Sequence, residues 1–211
     1  SSLESFRQYN FEDAWTWEQM ALTRSRVICA PDQLAKMITE IINKTLTRQR
    51  DPDSLLTNVN KMRKRILETH KTEFIWDVKH IRGGLIDLEF ITQFLQLRHC
   101  HKHPDILERN PKSALKILKV KALIEPVIAD DLLQALELWI NLQGILRLTI
   151  PRETRQLRQH GIPVSLRETL TRAAGTSDYE TLLNKMSMCS NNVLKHYNTI
   201  LGSPASYLKK N

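Results

Sequence analysis

Prolines head the amphipathic stretches of this chain. Asp51-Pro52, Asn110-Pro111 and Glu125-Pro126 each place a proline just inside a run of apolar residues spaced three and four apart. At the first helical position a proline lacks only an N–H that no carbonyl would have accepted, and its fixed φ suits the turn. In the middle of a sheet the same residue would break the ladder. After Pro52, the residues Leu55, Leu56, Val59, Met62 and Ile66 keep the helical period. The other segments follow suit. Ser1 and Ser5 edge a short helix ending near Tyr9. Asp13 caps a helix through Trp15, Ala21 and Leu22 to about Ile28, which Ala30-Pro31 ends. A helix starting around Asp32 carries Leu34, Met37, Ile38, Ile41 and Ile42, and others run from Leu85 to about His101, to Lys121 and to Ile150. Ser165-x-x-Glu168 and Ser177-x-x-Glu180 read as capping boxes, with Gly175 and Gly202 as C-terminal glycines. Only Phe74, Trp76 and Val78, alternating with Ile75, Asp77 and Lys79, predict a short extended segment near residues 74–79. The pattern predicts an all-α bundle of about nine helices. Residues 1–211 form a single helical domain, with a possible subdivision at the loop 151–163.

Composition narrows the function classes. Six Gly and eight Pro among 211 residues exclude a glycine-punctuated β-sandwich. Cys29, Cys100 and Cys189 are odd in number and far apart, which fits a reducing, cytoplasmic setting without a disulfide framework. The longest apolar run, Leu132 to Ile150, is interrupted by Glu137, Asn141, Gln143 and Arg147, so no membrane partner is expected. Lys plus Arg is 31 against 23 Asp plus Glu, a net charge of +8 that favours phosphate-bearing or acidic partners. The densest basic cluster, Lys61-Met62-Arg63-Lys64-Arg65, spreads around more than one helical face and reads as solvated surface.

Three features bear on chemistry. There is neither a phosphate-binding glycine loop ending in Gly-Lys-Ser/Thr nor a Gly-x-Ser-x-Gly elbow. Asp51-Pro-Asp53 and Asp130-Asp131 sit at helix starts, where acids cap and complement the dipole. His99-Cys100-His101-Lys102-His103 would put His99 and His103 on one helical face. Without a second Cys/His pair it reads as a helix end, and no metal site is expected. In Lys79-His80-Ile81-Arg82-Gly83-Gly84-Leu85-Ile86-Asp87-Leu88-Glu89-Phe90, a double glycine opens a helix whose free N–H groups suit an anion. Lys79, Arg82, Gly83 and Gly84 are candidate nucleotide contacts, with Trp17 as an aromatic wall. Asp87 and Glu89 are candidate braces to Arg24 or Arg26, because bare acids beside a phosphate would repel it.

Two segments together resemble glutamine synthetase adenylyltransferase, the bifunctional adenylyltransferase/adenylyl-removing enzyme family of bacterial nitrogen control. They are Ser2 to Phe6 with Ala14-Trp15-Thr16-Trp17-Glu18 and Ala21 to Arg26, and Gly83-Gly84-x-x-Asp87-x-Glu89-Phe90 with Ile91 to Leu95 and Leu97-Arg98. The related uridylyltransferase of the PII signalling protein shares Gly-Gly-Leu-x-Asp. Glu89-Phe90 and the Trp-Thr-Trp-Glu block favour the adenylyltransferase. The resemblance is dense to about residue 98; beyond it only helical character is legible. It implies a helical accessory or regulatory domain following a nucleotidyltransferase domain, whose Gly-Ser motif with paired metal-binding acids is not in this chain. Ser1 falls where that catalytic domain is expected to end, which makes the chain an expected C-terminal piece, inactive alone. The full-length enzyme would move AMP from ATP, with Mg²⁺, to a tyrosine of glutamine synthetase. The implied partners are glutamine synthetase, PII and the chain's own nucleotidyltransferase domain, and no cofactor belongs to this piece. The alternative is a stand-alone basic helical module binding nucleic acid or protein, supported by the net charge and by clusters such as Lys61 to Arg65.

Overall fold

The computed structural model describes residues 2–149 and 161–202. Among them are nine α-helices and no strand: α1 (Leu3–Gln8), α2 (Thr16–Leu22), α3 (Asp32–Thr47), α4 (Pro52–Thr69), α5 (Leu85–His99), α6 (Pro111–Val120), α7 (Pro126–Thr149), α8 (Val164–Ala173) and α9 (Tyr179–Leu201). A π-helical turn, Tyr9–Asp13, joins α1 to α2. No described helix is long and apolar enough to cross a membrane. The subdivision expected at 151–163 lies mostly outside the described residues.

Helix α5 is the axis of the bundle. Its apolar residues run around most of its circumference, so Leu85, Ile86, Leu88, Ile91, Phe94, Leu95 and Leu97 are all buried. A helix apolar on nearly every side is stable only when surrounded, and α4, α6, α7 and α9 enclose it. Trp139 on α7 is fully buried. Gln96, buried on α5, donates to the carbonyls of Ile106 (3.0 Å) and Glu108 (2.8 Å), satisfying the loop before α6.

Several expected boundaries shift for local reasons. Helix α2 stops at Leu22 rather than near Ile28, because the hydroxyls of Thr23 and Ser25 donate to the carbonyls of Met20 (2.7 Å) and Leu22 (2.8 Å). Its start is set by Glu18, whose carboxylate accepts the Trp15 N–H at 2.9 Å, not by Asp13. Helix α9 is capped by Asp178 instead of Ser177. The Asp178 carboxylate accepts from Thr181 N–H, and hydrogen bonds from Ser177 and Thr181 hold its pKa down to about 2. The segment expected to be extended near 74–79 is instead a chain of turns. Asp77 N–H bonds to Phe74 O, and His80 and Ile81 N–H both bond to Asp77 O. With no neighbouring strand to pair with, the backbone satisfies itself locally. The alternation survives only as burial: Trp76 and Val78 face the core, and Trp76 stacks on Tyr179.

His99 closes α5 with its Nε2 buried and unpartnered. Burial, then the charge of Arg98 and neighbouring basic residues, pushes its pKa down to about 4. The unfolded chain therefore takes up this proton first as pH falls. Stability is lost between about pH 6.5 and pH 4, on the order of 2 kcal/mol after screening at the exposed edge of the ring. The expected result is a melting temperature that falls across this window, with a shallower fall in His99→Gln.

Candidate functional site

Several of the residues singled out in the sequence gather at two sites on opposite faces of α4. One is a buried ionic knot. Asp87, in the first turn of α5, has no exposed surface. Its Oδ1 accepts from Arg63 Nε at 2.6 Å and from Arg82 Nη1 at 2.9 Å, and its Oδ2 accepts the Gly83 N–H at 2.6 Å. A carboxylate so deep is tolerable only when paired and fully hydrogen-bonded. Arg82 also lies over the Tyr197 ring at 4.9 Å. Burial and the nearby Asp87 charge push the Tyr197 phenol up to about 12, and its hydroxyl donates to Asn60 at 3.0 Å. Asn60 in turn donates to the Leu201 carbonyl, tying α4 to the end of α9.

The double glycine belongs to this knot. Gly83 has φ +74°, and a Cβ there would sit 2.0 Å from the Ser190 carbonyl oxygen. A Cβ on Gly84 would lie 2.5 Å from Val78 O. Both positions press backbone on backbone, and Ser190 Oγ donates to Arg82 O at 2.7 Å. Gly83 thus lets the turn lie against α9 and Gly84 lets it close on the preceding turns, and the N–H of Gly83 is spent on Asp87.

The expected partners of the acids are rearranged. Arg24 pairs with Glu89 at 2.5 Å, while Asp87 takes Arg63 and Arg82. Arg26 is exposed and has no ion pair among the described residues. Arg82, expected to face phosphate, has a guanidinium nitrogen bonded to Asp87. Lys79 is exposed, and its carbonyl accepts from the Ile86 N–H at the start of α5. Sequence reasoning missed Arg63, although a signal existed. It lies four residues after Val59 and seven after Leu56, a cation on the apolar stripe of α4, which demands a buried acid.

The second site is a groove of about 680 Å³ between the start of α2 and the outer face of α4. Trp15 and Trp17 line it from α2; Asn58, Lys61 and Arg65 line it from α4. An adjoining hollow of about 430 Å³ shares Trp15, Trp17, Met62 and Arg65 and reaches Tyr9 and Glu18. The Glu18 carboxylate accepts from both the Tyr9 hydroxyl and the Trp15 N–H, which fixes this wall. Asn58 donates to the Thr16 hydroxyl across the floor. Two other cations lining the groove are committed. Arg50 donates to the carbonyls of Thr45, Leu46 and Arg48 and to Gln19, so that its burial, which pushes its pKa down to about 10, is compensated by bonds to the end of α3. Arg48 donates to Phe11 O at 2.9 Å. Lys61 and Arg65, one turn apart and both exposed, carry no ion pair among the described residues.

Three further acids are individually occupied. Asp51 caps α4 through the Ser54 N–H at 2.8 Å, Asp130 pairs with Lys119, and Asp131 Oδ2 accepts from His196 Nε2 at 2.7 Å. Among the described residues, no group of three or more His, Cys, Asp or Glu is arranged to hold a metal ion.

Comparison with known proteins gives two family matches. The model described as GlnD PII-uridylyltransferase matches residues 54–201, and that described as Glutamate-ammonia ligase adenylyltransferase matches residues 1–42. A Rhodopseudomonas palustris protein described as bifunctional glutamine synthetase adenylyltransferase/adenylyl-removing enzyme is 35% identical over 202 residues, 96% of this chain and 20% of its own length. Proteins of the same description from Bradyrhizobium diazoefficiens and Xanthobacter autotrophicus are 34% identical over 208 residues and 35% over 184, covering 98% and 85% of this chain. The chain spans about a fifth of the length of these relatives. The match over 54–201 extends well past residue 98, where the sequence shows only generic amphipathic helices.

Proposed function

Because the chain belongs to the GlnD PII-uridylyltransferase family, with relatives described as glutamine synthetase adenylyltransferases along nearly its whole length, we propose that it is a helical accessory domain of such an adenylyltransferase. In this reading it works beside a nucleotidyltransferase domain that moves AMP from ATP to a tyrosine of glutamine synthetase, under regulation that includes PII. The observation that carries it is the placement of the family's two motifs. The Gly83-Gly84-x-x-Asp87 segment is an internal knot, whereas the Trp-Thr-Trp-Glu segment lines an open groove. The first builds the domain and the second is free to meet a partner.

The metal that such a transfer needs does not fit the acids described here. Asp87 is saturated by two arginines and an N–H, and Asp51 is a helix cap. Mg²⁺ and the catalytic carboxylates are therefore assigned to the nucleotidyltransferase domain, and no step is derived through a metal on this chain. Contact with that domain is supported by the first half of α3. There Leu34 and Met37 stand exposed, as does Ile28 just ahead of α3, apolar side chains within the segment that matches the adenylyltransferase model.

A domain exchange tests the reading. This chain replaces the corresponding fifth of the Rhodopseudomonas palustris relative, and the hybrid is incubated with ATP, Mg²⁺ and glutamine synthetase. Mass spectrometry of the synthetase is expected to show added AMP with the hybrid and none with the chain alone. AMP added by the chain alone overturns the accessory role. A hybrid that is folded by circular dichroism yet transfers nothing overturns the adenylyltransferase assignment.

A further inference from the structure

Two exposed indoles beside two cations without ion pairs form a chemical feature of the described surface that neither packing nor capping explains. Trp15 is 65% exposed and Trp17 43%, whereas Trp76 and Trp139 are buried. Leaving two large aromatic faces in water forgoes burial that each could have contributed to the core. Their wall is nonetheless fixed by Glu18, which holds Tyr9 and the Trp15 N–H. Opposite them, Lys61 and Arg65 follow Asn58 at helical spacing and share its face of α4.

From this we propose that the groove binds a nucleoside polyphosphate, its base stacked on an indole and its phosphates on Lys61 and Arg65. The inference deepens the adenylyltransferase reading and rests on it only in choosing ATP as the first probe. Aromatic faces recognise the flat base, and cations recognise the phosphates. The polarity of the groove sets the orientation. Asp51, at the α4 N-terminus, lies at one end and repels phosphate, so the phosphates belong toward Lys61 and Arg65. The count of free groups favours one nucleotide over a strand. Arg48 and Arg50 line the groove but are bound to carbonyls, which leaves two cations and two indoles rather than a continuous track.

The test is a fluorescence titration of the 211-residue chain with ATP, AMP, inorganic triphosphate and oligothymidylates of increasing length. With Trp76 and Trp139 shielded, quenching reports on Trp15 and Trp17. ATP is expected to quench saturably and more tightly than AMP, and triphosphate to compete without quenching. Trp17→Ala is expected to lose most of the quenching and Trp17→Phe to keep ATP binding. Lys61→Glu combined with Arg65→Glu weakens ATP by about tenfold or more, with an unchanged melting temperature because both side chains are exposed. No saturable quenching by ATP overturns the proposal, as does undiminished binding in the charge-reversed variant. Oligothymidylate that displaces ATP and binds more tightly with length assigns the groove to single-stranded nucleic acid instead. A silent titration leaves the domain-exchange result standing, and a failed exchange leaves ATP binding by the chain standing.

Discussion

Asp87→Ala lowers the melting temperature of the chain by about 10 °C. Removing one partner from a buried ion pair costs roughly 3–5 kcal/mol, because the remaining charge stays buried and unpaired. Here Arg63 is the charge left behind. It is almost fully buried, and its two terminal nitrogens already lack partners, so Asp87 is the acceptor that justifies its place in the core. Arg82, a third exposed, can turn toward water and costs less when stranded. Thermal unfolding followed by circular dichroism measures the loss. A second variant separates charge from packing: Arg63→Met added to Asp87→Ala is expected to recover part of the stability, since it removes the stranded cation. A single Asp87→Ala chain that melts like the wild type would show that the knot does not organise the fold.

Gly83→Ala is expected to do comparable or greater damage by a different route. The residue sits at φ +74°, where an L side chain is strained, and its added methyl would meet the Ser190 carbonyl oxygen at 2.0 Å. Strain and overpacking together amount to roughly 3–5 kcal/mol. The obstacle is backbone, so no rotamer relieves it. Gly175→Ala is the control. Gly175 shares a positive φ of 64° but has nothing within 4 Å of its Cβ position, so only the conformational term, about 1 kcal/mol, is expected. Amide hydrogen exchange checks the mechanism. Protection along α9 should fall in Gly83→Ala and hold in Gly175→Ala. Equal melting temperatures for the two variants would refute the close approach of the Gly83 turn to α9.

The fold class was legible because helix signals are local. Pro52, Pro111 and Pro126 each stand at the first position of an observed helix, and Gly175 follows α8 with the positive φ a helix terminator needs. The near-complete burial of α5 was also written in its composition, since Leu85 to Leu97 is apolar on nearly every side. Residues 74–79 misled for a physical reason. Alternation records which side chains are buried, and a series of turns against a core can bury every second residue as a strand does.

Within the candidate sites, the residue types could be read from the sequence but their partners could not. That Asp87 is braced by an arginine is expected from the repulsion between a bare acid and phosphate; which arginine it is depends on α4 crossing α5, 24 residues away in the chain. Arg82 stands beside the glycines in sequence and resembles a phosphate ligand there. In the folded chain it turns inward to Asp87 and Tyr197. Trp17 is read as an aromatic wall from its spacing, but only the packing of α2 on α4 sets Lys61 and Arg65 across from it. The sequence by itself determined where helices begin and which faces are apolar, because both depend on contacts within a few residues. Tertiary structure alone decided which charges are buried together and which stay free in the groove, since burial and pairing depend on elements distant in the chain.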